Sequence, residues 1–317
     1  MNLEGIHHVT AITGNARRNL DFYVRVLGLR LVKRSVNQDV PSILQFYYGA
    51  ESAEPGATLA FYEYPGIQVG RAGAGMIHRI SWRIGSENAL GFWARRLKSE
   101  GIEYQRSGAH LRFYDPEGLA LELVVAESED EPLAASRLDI PEELALQGFD
   151  SVRVYARDPE RSRELLEQVL AFRRRSDALW EARGNARGSL FAYDSAPVQP
   201  GIQGSGTVHH VAWACALNER GRWHDALTAA GMRATPVIDR YWHRSIYFRE
   251  PSGALFEIAT MEPGFAIDEL IEHLGERLAL PPPLEHLRGE LEAGSPASLL
   301  SRELGIEPGG MLGRIEF

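Results

Sequence analysis

The sequence predicts an α+β protein in which four βαβββ modules form two open, barrel-like domains. Four successive segments each open with a strand-like run, continue with helical periodicity and close with strand-like runs. A glycine followed by a histidine pair occurs twice, in residues 5–10 (GIHHVT) and in residues 206–211 (GTVHHV). A Pro–Gly turn between the last two strands also occurs twice, at residues 115–118 and 250–253. These internal repeats indicate duplication of one structural unit.

Module one is predicted to begin with a strand at residues 6–12. Asn15 then suits the cap of a helix, because its side chain can accept a hydrogen bond from the first helical turn. Apolar residues recur at helical spacing up to Gly28, which is predicted to end the helix. Three strands are predicted to follow, at residues 30–37, 43–48 and 58–62.

The remaining modules repeat this order. Module two is predicted to contain a strand, a helix and three strands at residues 77–84, 86–100, 104–106, 110–114 and 120–125. Module three is predicted to have a first strand at residues 151–156, a helix beginning at Asp158-Pro159 and a last strand at residues 189–193. Module four is predicted to contain a strand, a helix and three strands at residues 207–214, 218–230, 234–238, 245–249 and 254–260.

Along the chain, these modules predict four regions. Residues 1–130 hold modules one and two, and residues 131–147 form a linker rich in acidic residues. Residues 148–262 hold modules three and four. Residues 263–317 form a C-terminal extension, with helical stretches expected at residues 267–278 and 284–291.

Composition excludes several classes of function. The net charge of −9 and the pI near 5.6 argue against a nucleic-acid partner, which requires clustered basic residues. No run of about 18 apolar residues is present, so we expect no membrane partner. The first residues show no secretory pattern, and Cys215 is the only cysteine, which leaves no internal disulfide or thiolate cluster. We therefore expect a cytoplasmic protein.

The histidine pairs predict a metal site. Adjacent residues of a strand face opposite sides, so one histidine of each pair can face a shared ion, and we select His8 and His210. Glu257 lies between two apolar residues of a final strand, where a carboxylate is costly to bury unless it is paired or metal-bound. Two histidines and one carboxylate form a facial triad, typical of non-haem Fe(II). The alternative is that these are ordinary buried side chains.

The pairing of modules decides whether the three ligands meet. Modules one and four together would place His8, His210 and Glu257 in one barrel, so we predict that these modules build the active barrel. Modules two and three would then form a barrel in which Arg79 and Ser151 stand where the histidines would be. Glu122 in that barrel is expected to be a remnant of the duplication or an ion-pair partner of Arg79.

The residues before Glu257 supply candidate catalytic groups. Arg240 could hold an anionic substrate oxygen through charge-assisted hydrogen bonds. Tyr247 could donate a proton or bind a phenolate. His7, His209 and His243 are candidate proton shuttles, since histidine titrates near neutral pH. The alternative for each residue is an ordinary position in a hairpin.

Together, these modules and motifs resemble the vicinal oxygen chelate superfamily, which includes glyoxalase I, fosfomycin-resistance proteins and extradiol dioxygenases. One branch, the ring-cleaving hydroquinone dioxygenases, is the most similar, and the similarity extends from residue 5 to about residue 283. The segments that carry it are residues 5–12, 28–34, 47–49, 238–240, 245–251 and 263–266.

The resemblance implies Fe(II), or Mn(II) in some members, bound at the positions of His8, His210 and Glu257. It implies cleavage of para-dihydroxylated aromatics by dioxygen, as in aromatic hydrocarbon catabolism. It further implies that the substrate pocket is lined at four positions, those of His7, His209, Arg240 and Tyr247.

Two other functions remain open at this point. One is a glyoxalase-like metal-dependent isomerase or transferase of the same fold, although such isomerases usually have a fourth protein ligand. The other is a protein that binds an aromatic or quinone without turnover. The unpaired barrel edges and the long extension favour a homodimer. The sequence leaves open the ring substituents, the choice between iron and manganese, and a catabolic or a quinone-detoxifying role.

Overall fold

The computed structural model describes residues 1–294, which form strand-rich modules with short helices. The last part of the predicted extension, residues 295–317, lies outside the described residues. Within the described part of the chain, no helix combines the length and the apolar character needed to cross a membrane.

Module one has its first strand and helix where the sequence predicts them. Asn15 caps the helix, and its side chain accepts a hydrogen bond of 3.0 Å from the Arg18 backbone N–H. The helix is only partly α-helical, because it continues as a π-helix over Asp21–Val26. Gly28 follows it with φ +73°, the left-handed conformation typical of a helix end. The elements are β1 (Ile6–Thr13), α1 (Ala16–Leu20), β2 (Arg30–Val36), β3 (Leu44–Gly49) and β4 (Thr58–Glu63).

Module two contains the longest helix of the described chain. Ser86 caps it by accepting a hydrogen bond of 3.1 Å from the Ala89 N–H. Leu90, Trp93 and Leu97 recur at helical spacing and are fully buried, so this face anchors the helix to the core. The elements are β5 (Ile77–Ile84), α2 (Glu87–Ser99), β6 (Tyr104–Ser107), β7 (His110–Tyr114) and β8 (Ala120–Val125).

Module three departs from the prediction in its helix. Pro159 starts a helical segment as expected, but the chain forms a 3₁₀ turn over Pro159–Ser162 and a π-helix over Leu165–Val169. The buried apolar side chains of this segment, Leu165 and Leu166, still pack against the core, so tertiary contacts hold the irregular backbone. The strands are β9 (Phe149–Ala156), β10 (Arg173–Ser176), β11 (Leu179–Arg183) and β12 (Gly188–Ser195).

The structure corrects two predictions for module four and the extension. The strand expected at residues 234–238 is reduced to two residues. The helix expected at residues 267–278 is wrong, since 3₁₀ turns form at Phe265–Ile267 and Ile271–His273. The elements are β13 (Val208–Cys215), α3 (Arg220–Ala229), β14 (Ile238–Asp239), β15 (Arg244–Arg249), β16 (Leu255–Thr260) and α4 (Arg288–Gly294).

The strands of residues 1–294 form two eight-stranded sheets, and each sheet combines one module from each half of the chain. The first sheet has the order β14-β15-β16-β13-β1-β4-β3-β2, so modules four and one share it through the antiparallel pair β13 and β1. The second sheet has the order β10-β11-β12-β9-β5-β8-β7-β6 and joins modules three and two. The predicted fold class and the predicted partnership of modules one and four are confirmed.

The core lies on one face of each sheet. Val9 and Ala11 of β1 belong to the main apolar cluster, whereas His8 and Thr10, which alternate with them, face the cleft described below. Phe191 of module three packs edge-to-face on Trp213 and Phe256 of module four, with ring centroids 5.9 and 5.2 Å apart. These contacts tie the two sheets together, and burial of each large aromatic stabilises the fold by about 1.5–3 kcal/mol.

A glycine in the left-handed conformation opens each module. Gly5, Gly75, Gly148 and Gly206 have φ values of +79°, +79°, +93° and +76°. At Gly206 a Cβ atom would also lie 2.1 Å from the Glu117 carbonyl oxygen of the other sheet. The repeated glycine therefore serves both the turn into the first strand and the close approach of neighbouring backbones.

We expect Gly206→Ala to lower the free energy of unfolding by at least about 1–3 kcal/mol, because the variant combines backbone strain with a steric clash. Urea unfolding followed by circular dichroism measures it. Gly221→Ala is the matched control: a Cβ there meets no atom within 4 Å inside helix α3, so we expect stability to rise by about 0.5–1 kcal/mol. Equal effects of the two substitutions would contradict this account.

Candidate metal centre

His8, His210 and Glu257 lie together in the first sheet, on the adjacent strands β1, β13 and β16. Ala212 is the register partner of both His8 and Glu257, which places the three ligand side chains around one point. Their nearest ligand atoms all lie within 4.8 Å of one another. Glu257 Oε2 is 3.3 Å from His8 Nε2 and 2.9 Å from His210 Nε2, and the two Nε2 atoms are 3.3 Å apart.

This cluster is suited to a cation. All three side chains are buried, and burial raises the pKa of a carboxyl group. At Glu257 the contacts with His8 and His210 outweigh that burial and hold its pKa well below the usual range, so the carboxylate is charged. Among the described residues, Glu257 Oε2 nevertheless accepts no hydrogen bond of regular geometry. Two imidazole nitrogens and an anionic oxygen that face one buried point match the donor set preferred by Fe(II) and Mn(II).

His7 and His209 contact the other ring nitrogen of each candidate ligand. His7 Nδ1 lies 2.9 Å from His8 Nδ1, and His209 Nδ1 lies 2.7 Å from His210 Nδ1. In a regular strand, adjacent side chains face opposite sides, so the two rings of each histidine pair would lie apart. Here the rings are in contact, and the register of β1 against β13 shifts on both sides of this region. Burial lowers the pKa of His209 to about 3 and that of His7 well below its usual value, so both imidazoles are neutral. They lie behind the candidate ligands rather than along the cleft.

The second oxygen of Glu257 has its own partners. Ser245 donates a hydrogen bond of 2.5 Å to Glu257 Oε1, and His243 Nε2 lies 3.5 Å from the same oxygen. Sequence reasoning included His243 only among the candidate shuttles and did not single out Ser245. The sequence places Ser245 on the predicted strand that precedes the Glu257 strand, which is the one signal it offers. It does not say which side chains of that strand face the carboxylate.

A narrow cleft leads to the cluster, and three of the predicted catalytic candidates line it. Its free volume is about 20 Å³, close to the space of one water molecule. These candidates are Arg240, His243 and Tyr247. Several polar residues that the sequence analysis did not mark also line the cleft: Thr10, Asn37, Gln38, Gln45, Tyr47 and Tyr62. This free volume is smaller than the space that an aromatic ring occupies.

Arg240 and Tyr247 form the polar wall of the cleft. Asp39 accepts two hydrogen bonds from the Arg240 guanidinium, of 2.8 and 2.7 Å. The guanidinium lies 5.5 Å from the centroid of the Tyr247 ring, in a cation–π arrangement. Burial, together with the charge of Glu257, raises the pKa of Tyr247 well above its ordinary value, so the phenol keeps its proton. The wall thus offers one fixed cation and one neutral hydroxyl.

The C-terminal segment covers this end of the sheet. Lys33 of β2 is fully buried, and its ammonium group binds Asp268 at 2.8 Å, the Phe265 carbonyl oxygen at 3.0 Å, and Glu269. Phe265 packs on Tyr47, which lines the cleft, with ring centroids 5.0 Å apart. Lys33 therefore fastens the segment that packs beside the candidate centre.

Fold and site together define a class: paired βαβββ modules whose sheet brings two histidines and one glutamate to a common point, next to a cleft. The chain belongs to the Glyoxalase/Bleomycin resistance protein/Dioxygenase superfamily, whose family model matches residues 5–123 and 148–258. The resemblance inferred from the sequence motifs is confirmed at this level.

Individual relatives align over almost the whole chain. The protein named "Putative ring-cleaving dioxygenase MhqA" of Bacillus subtilis (strain 168) is 37% identical over 310 residues, which cover 92% of this chain and 98% of the relative. Chlorohydroquinone/hydroquinone 1,2-dioxygenase of Sphingobium indicum is 29% identical over 310 residues, with coverages of 91% and 95%.

Solved structures agree with the fold. A crystal structure of a "putative dioxygenase" from Bacillus subtilis subsp. subtilis str. 168 has a TM-score of 0.86 and 36% identity, and the match covers 92% of this chain and 96% of that one. Glyoxalase I from Zea mays has a TM-score of 0.57 and 15% identity, with coverages of 81% and 92%, and supports the fold alone.

Proposed function

We propose that this protein is a non-haem Fe(II)-dependent, extradiol-type dioxygenase that cleaves the ring of hydroquinone-type aromatics with dioxygen. The observation that carries the proposal is the convergence of His8, His210 and Glu257 at one buried point next to a cleft. A facial set of three ligands leaves coordination positions for both substrate and dioxygen.

The names of the aligned relatives support the choice of reaction. MhqA is named for ring cleavage, and the Sphingobium indicum enzyme for dioxygenation of chlorohydroquinone and hydroquinone. Both align over more than nine-tenths of this chain. The para-diol is therefore the first substrate class to test.

In this proposal His8 and His210 hold the metal through Nε2, and Glu257 holds it through Oε2. A bound divalent iron would supply Lewis acidity towards a substrate hydroxyl and electron transfer to dioxygen. His7 and His209 occupy the Nδ1 side of the two ligand rings and fix their orientation. Such outer partners typically contribute 10–100-fold, as an order of magnitude, to metal affinity or activity.

Protons are handled by groups along the cleft. Burial lowers the pKa of His243 to about 3, so its imidazole is neutral at pH 7 and can accept a hydrogen bond from a substrate hydroxyl. Tyr247 is protonated and can donate a hydrogen bond to an oxygen that becomes more basic during the reaction. Arg240 remains charged and can attract a phenolate, at the cost of part of its contact with Asp39.

The test is oxygen uptake by protein reconstituted anaerobically with Fe(II), and in parallel with Mn(II). Hydroquinone, methylhydroquinone, chlorohydroquinone and catechol are added in turn, and substrate loss is measured by chromatography. We expect one dioxygen consumed per ring cleaved, with para-diols the fastest. Stoichiometric iron binding without uptake for any diol would overturn the proposal and favour an isomerase, a transferase or a binding protein.

We expect Tyr247→Phe to lower kcat by about 10²–10⁴-fold, the usual contribution of a positioned proton donor, while iron content stays at the wild-type level. Steady-state oxygen uptake and iron analysis measure the two quantities. Tyr114→Phe, at an exposed tyrosine of the second sheet, is the control and should leave both unchanged. Unaltered kcat in Tyr247→Phe would remove the phenol from the chemistry.

A further inference from the structure

The second sheet repeats the candidate metal centre with different side chains. Ser81 of β5 is the register partner of both Ser151 and Glu122, as Ala212 is of His8 and Glu257 in the first sheet. Glu122 therefore stands in the place of Glu257, and Ser151 in that of His8. Arg79, two residues before Ser81, stands in the place of His210. The carboxylate is retained, and both imidazoles are lost.

Two further arginines replace neutral residues in the same register. Arg112 is the partner of Glu122 on β7, where the first sheet has Tyr247 opposite Glu257. Arg153 is the partner of Arg79 on β9, where the first sheet has Thr10 opposite His210. At the position equivalent to the candidate metal centre, the second sheet thus has a group of guanidinium side chains.

The carboxylates next to these arginines are already paired. Glu122 accepts hydrogen bonds from Arg112 at 2.5 Å and from Ser81 at 2.8 Å. Asp194 accepts two from Arg153, at 2.7 and 2.6 Å, and its Oδ2 lies 2.8 Å from His78 Nε2. Three guanidinium groups therefore face two carboxylates, which leaves one positive charge.

Arg79 carries that surplus. Its nearest carboxylate contact is 3.7 Å, from Nη1 to Glu122 Oε1, and its guanidinium makes no side-chain hydrogen bond within residues 1–294. Its side chain is only 19% exposed, so water screens the charge little. A half-buried guanidinium without a hydrogen-bond acceptor is suited to bind a carboxylate through two parallel bonds.

A wide cleft gives access to Arg79. Its volume is about 930 Å³, compared with about 20 Å³ beside the candidate metal centre. The charged lining residues are Arg71, Arg79, Lys98 and Arg112 against one acid, Glu103. Aromatic side chains complete the lining: Tyr104, Phe113, Tyr114 and Tyr155, the last stacked on His78 with centroids 3.7 Å apart. Cations and aromatic rings together select a ligand that has both a negative charge and a flat apolar body.

We propose that the second sheet is a binding site for a small aromatic carboxylate, with Arg79 as the group that holds the carboxylate. The site is separate from the candidate metal centre and needs no metal. In this proposal, the second sheet binds a ligand that the first sheet does not bind at the equivalent position.

The test is isothermal titration calorimetry of the metal-loaded protein with benzoate, and with benzamide as the neutral analogue. We expect benzoate to bind at one equivalent per chain and benzamide to bind at least about tenfold more weakly, since a charge-assisted hydrogen bond is lost. Arg79→Gln should weaken benzoate by about tenfold or more, and Arg79→Lys by less. Arg106→Gln, in the same sheet but paired with Glu87 outside the cleft lining, should leave affinity unchanged.

Three results would overturn the proposal: no heat with benzoate at millimolar concentration, equal affinity for benzamide, or equal affinity in Arg79→Gln with the fold intact by circular dichroism. Benzoate could also bind a metal in the first sheet, so His210→Ala is titrated as well. Binding lost in His210→Ala but kept in Arg79→Gln would place benzoate at the metal and likewise overturn the proposal.

Discussion

Replacing His210 with alanine is expected to abolish both iron binding and ring cleavage while the fold is retained. His210 Nε2 lies 2.9 Å from Glu257 Oε2 and 3.3 Å from His8 Nε2, so its loss leaves two side chains that do not enclose a cation. Changes to outer partners of a ligand already cost about 10–100-fold in affinity or activity, so removing the ligand itself should cost more than that. Iron analysis after anaerobic loading and oxygen uptake measure the two losses.

His224→Ala is the matched control, because His224 lies partly exposed on helix α3, away from the cluster. It should bind one equivalent of iron and turn over at the wild-type rate. His8→Ala and Glu257→Ala should behave like His210→Ala. If any of the three variants keeps stoichiometric iron and full turnover, the ligand assignment is wrong, whatever the fate of the substrate proposal.

The substitution Lys33→Met is expected to lower the free energy of unfolding by about 3–5 kcal/mol, the range found when one partner of a buried ion pair is removed. The side chain of Glu269 is only 2% exposed, and without Lys33 its nearest cation is Arg277 at 3.7 Å. Asp268 would keep only the hydrogen bond of the Trp242 indole N–H, at 3.1 Å. Urea unfolding at a fixed metal content measures the change.

The sequence contains one other lysine, Lys98, and Lys98→Met is the natural control. Lys98 is exposed on helix α2, so its replacement should change stability by no more than about 0.5 kcal/mol. A loss in Lys33→Met no larger than that in Lys98→Met would show that the C-terminal segment is held by its apolar contacts instead.

The fold was accessible from sequence because each module contains its own local signals. Asn15, Ser86 and Pro159 mark helix starts, and the recurring module-opening glycines mark the turns into first strands. Local sequence signals predicted less of the secondary structure where tertiary packing determines the backbone. The π-helical turns and the 3₁₀ turns that replace the expected helix at residues 267–278 depend on partners distant in the chain, such as Lys33.

For the candidate site, duplication made the two candidate histidine ligands identifiable, since a repeated histidine pair needs no relatives to be noticed. The contacts around them did not follow from the same reasoning. Ser245, Asp39 and the residues Tyr47 and Tyr62 come from strands or loops that the pattern marks only as strand-like or polar. Tyr47 and Tyr62 line the cleft, Ser245 contacts Glu257 and Asp39 contacts Arg240, and these contacts depend on how strands and loops are brought together in the fold, which no periodicity reports.

By itself, the sequence determined the four modules, their pairing and the identities of the metal-ligating candidates, because strand alternation and internal repetition are properties of the chain order. Only the tertiary structure decided how the two duplicated sites differ in their free space and in the pairing of their charged groups. The first sheet closes tightly around two histidines and a carboxylate, whereas the second leaves a wide cleft beside Arg79, whose guanidinium makes no side-chain hydrogen bond within residues 1–294. That difference depends on which side chains the register of strands β5, β7, β8 and β9 brings together and on the distances between their charged groups, which the order of residues along the chain does not give.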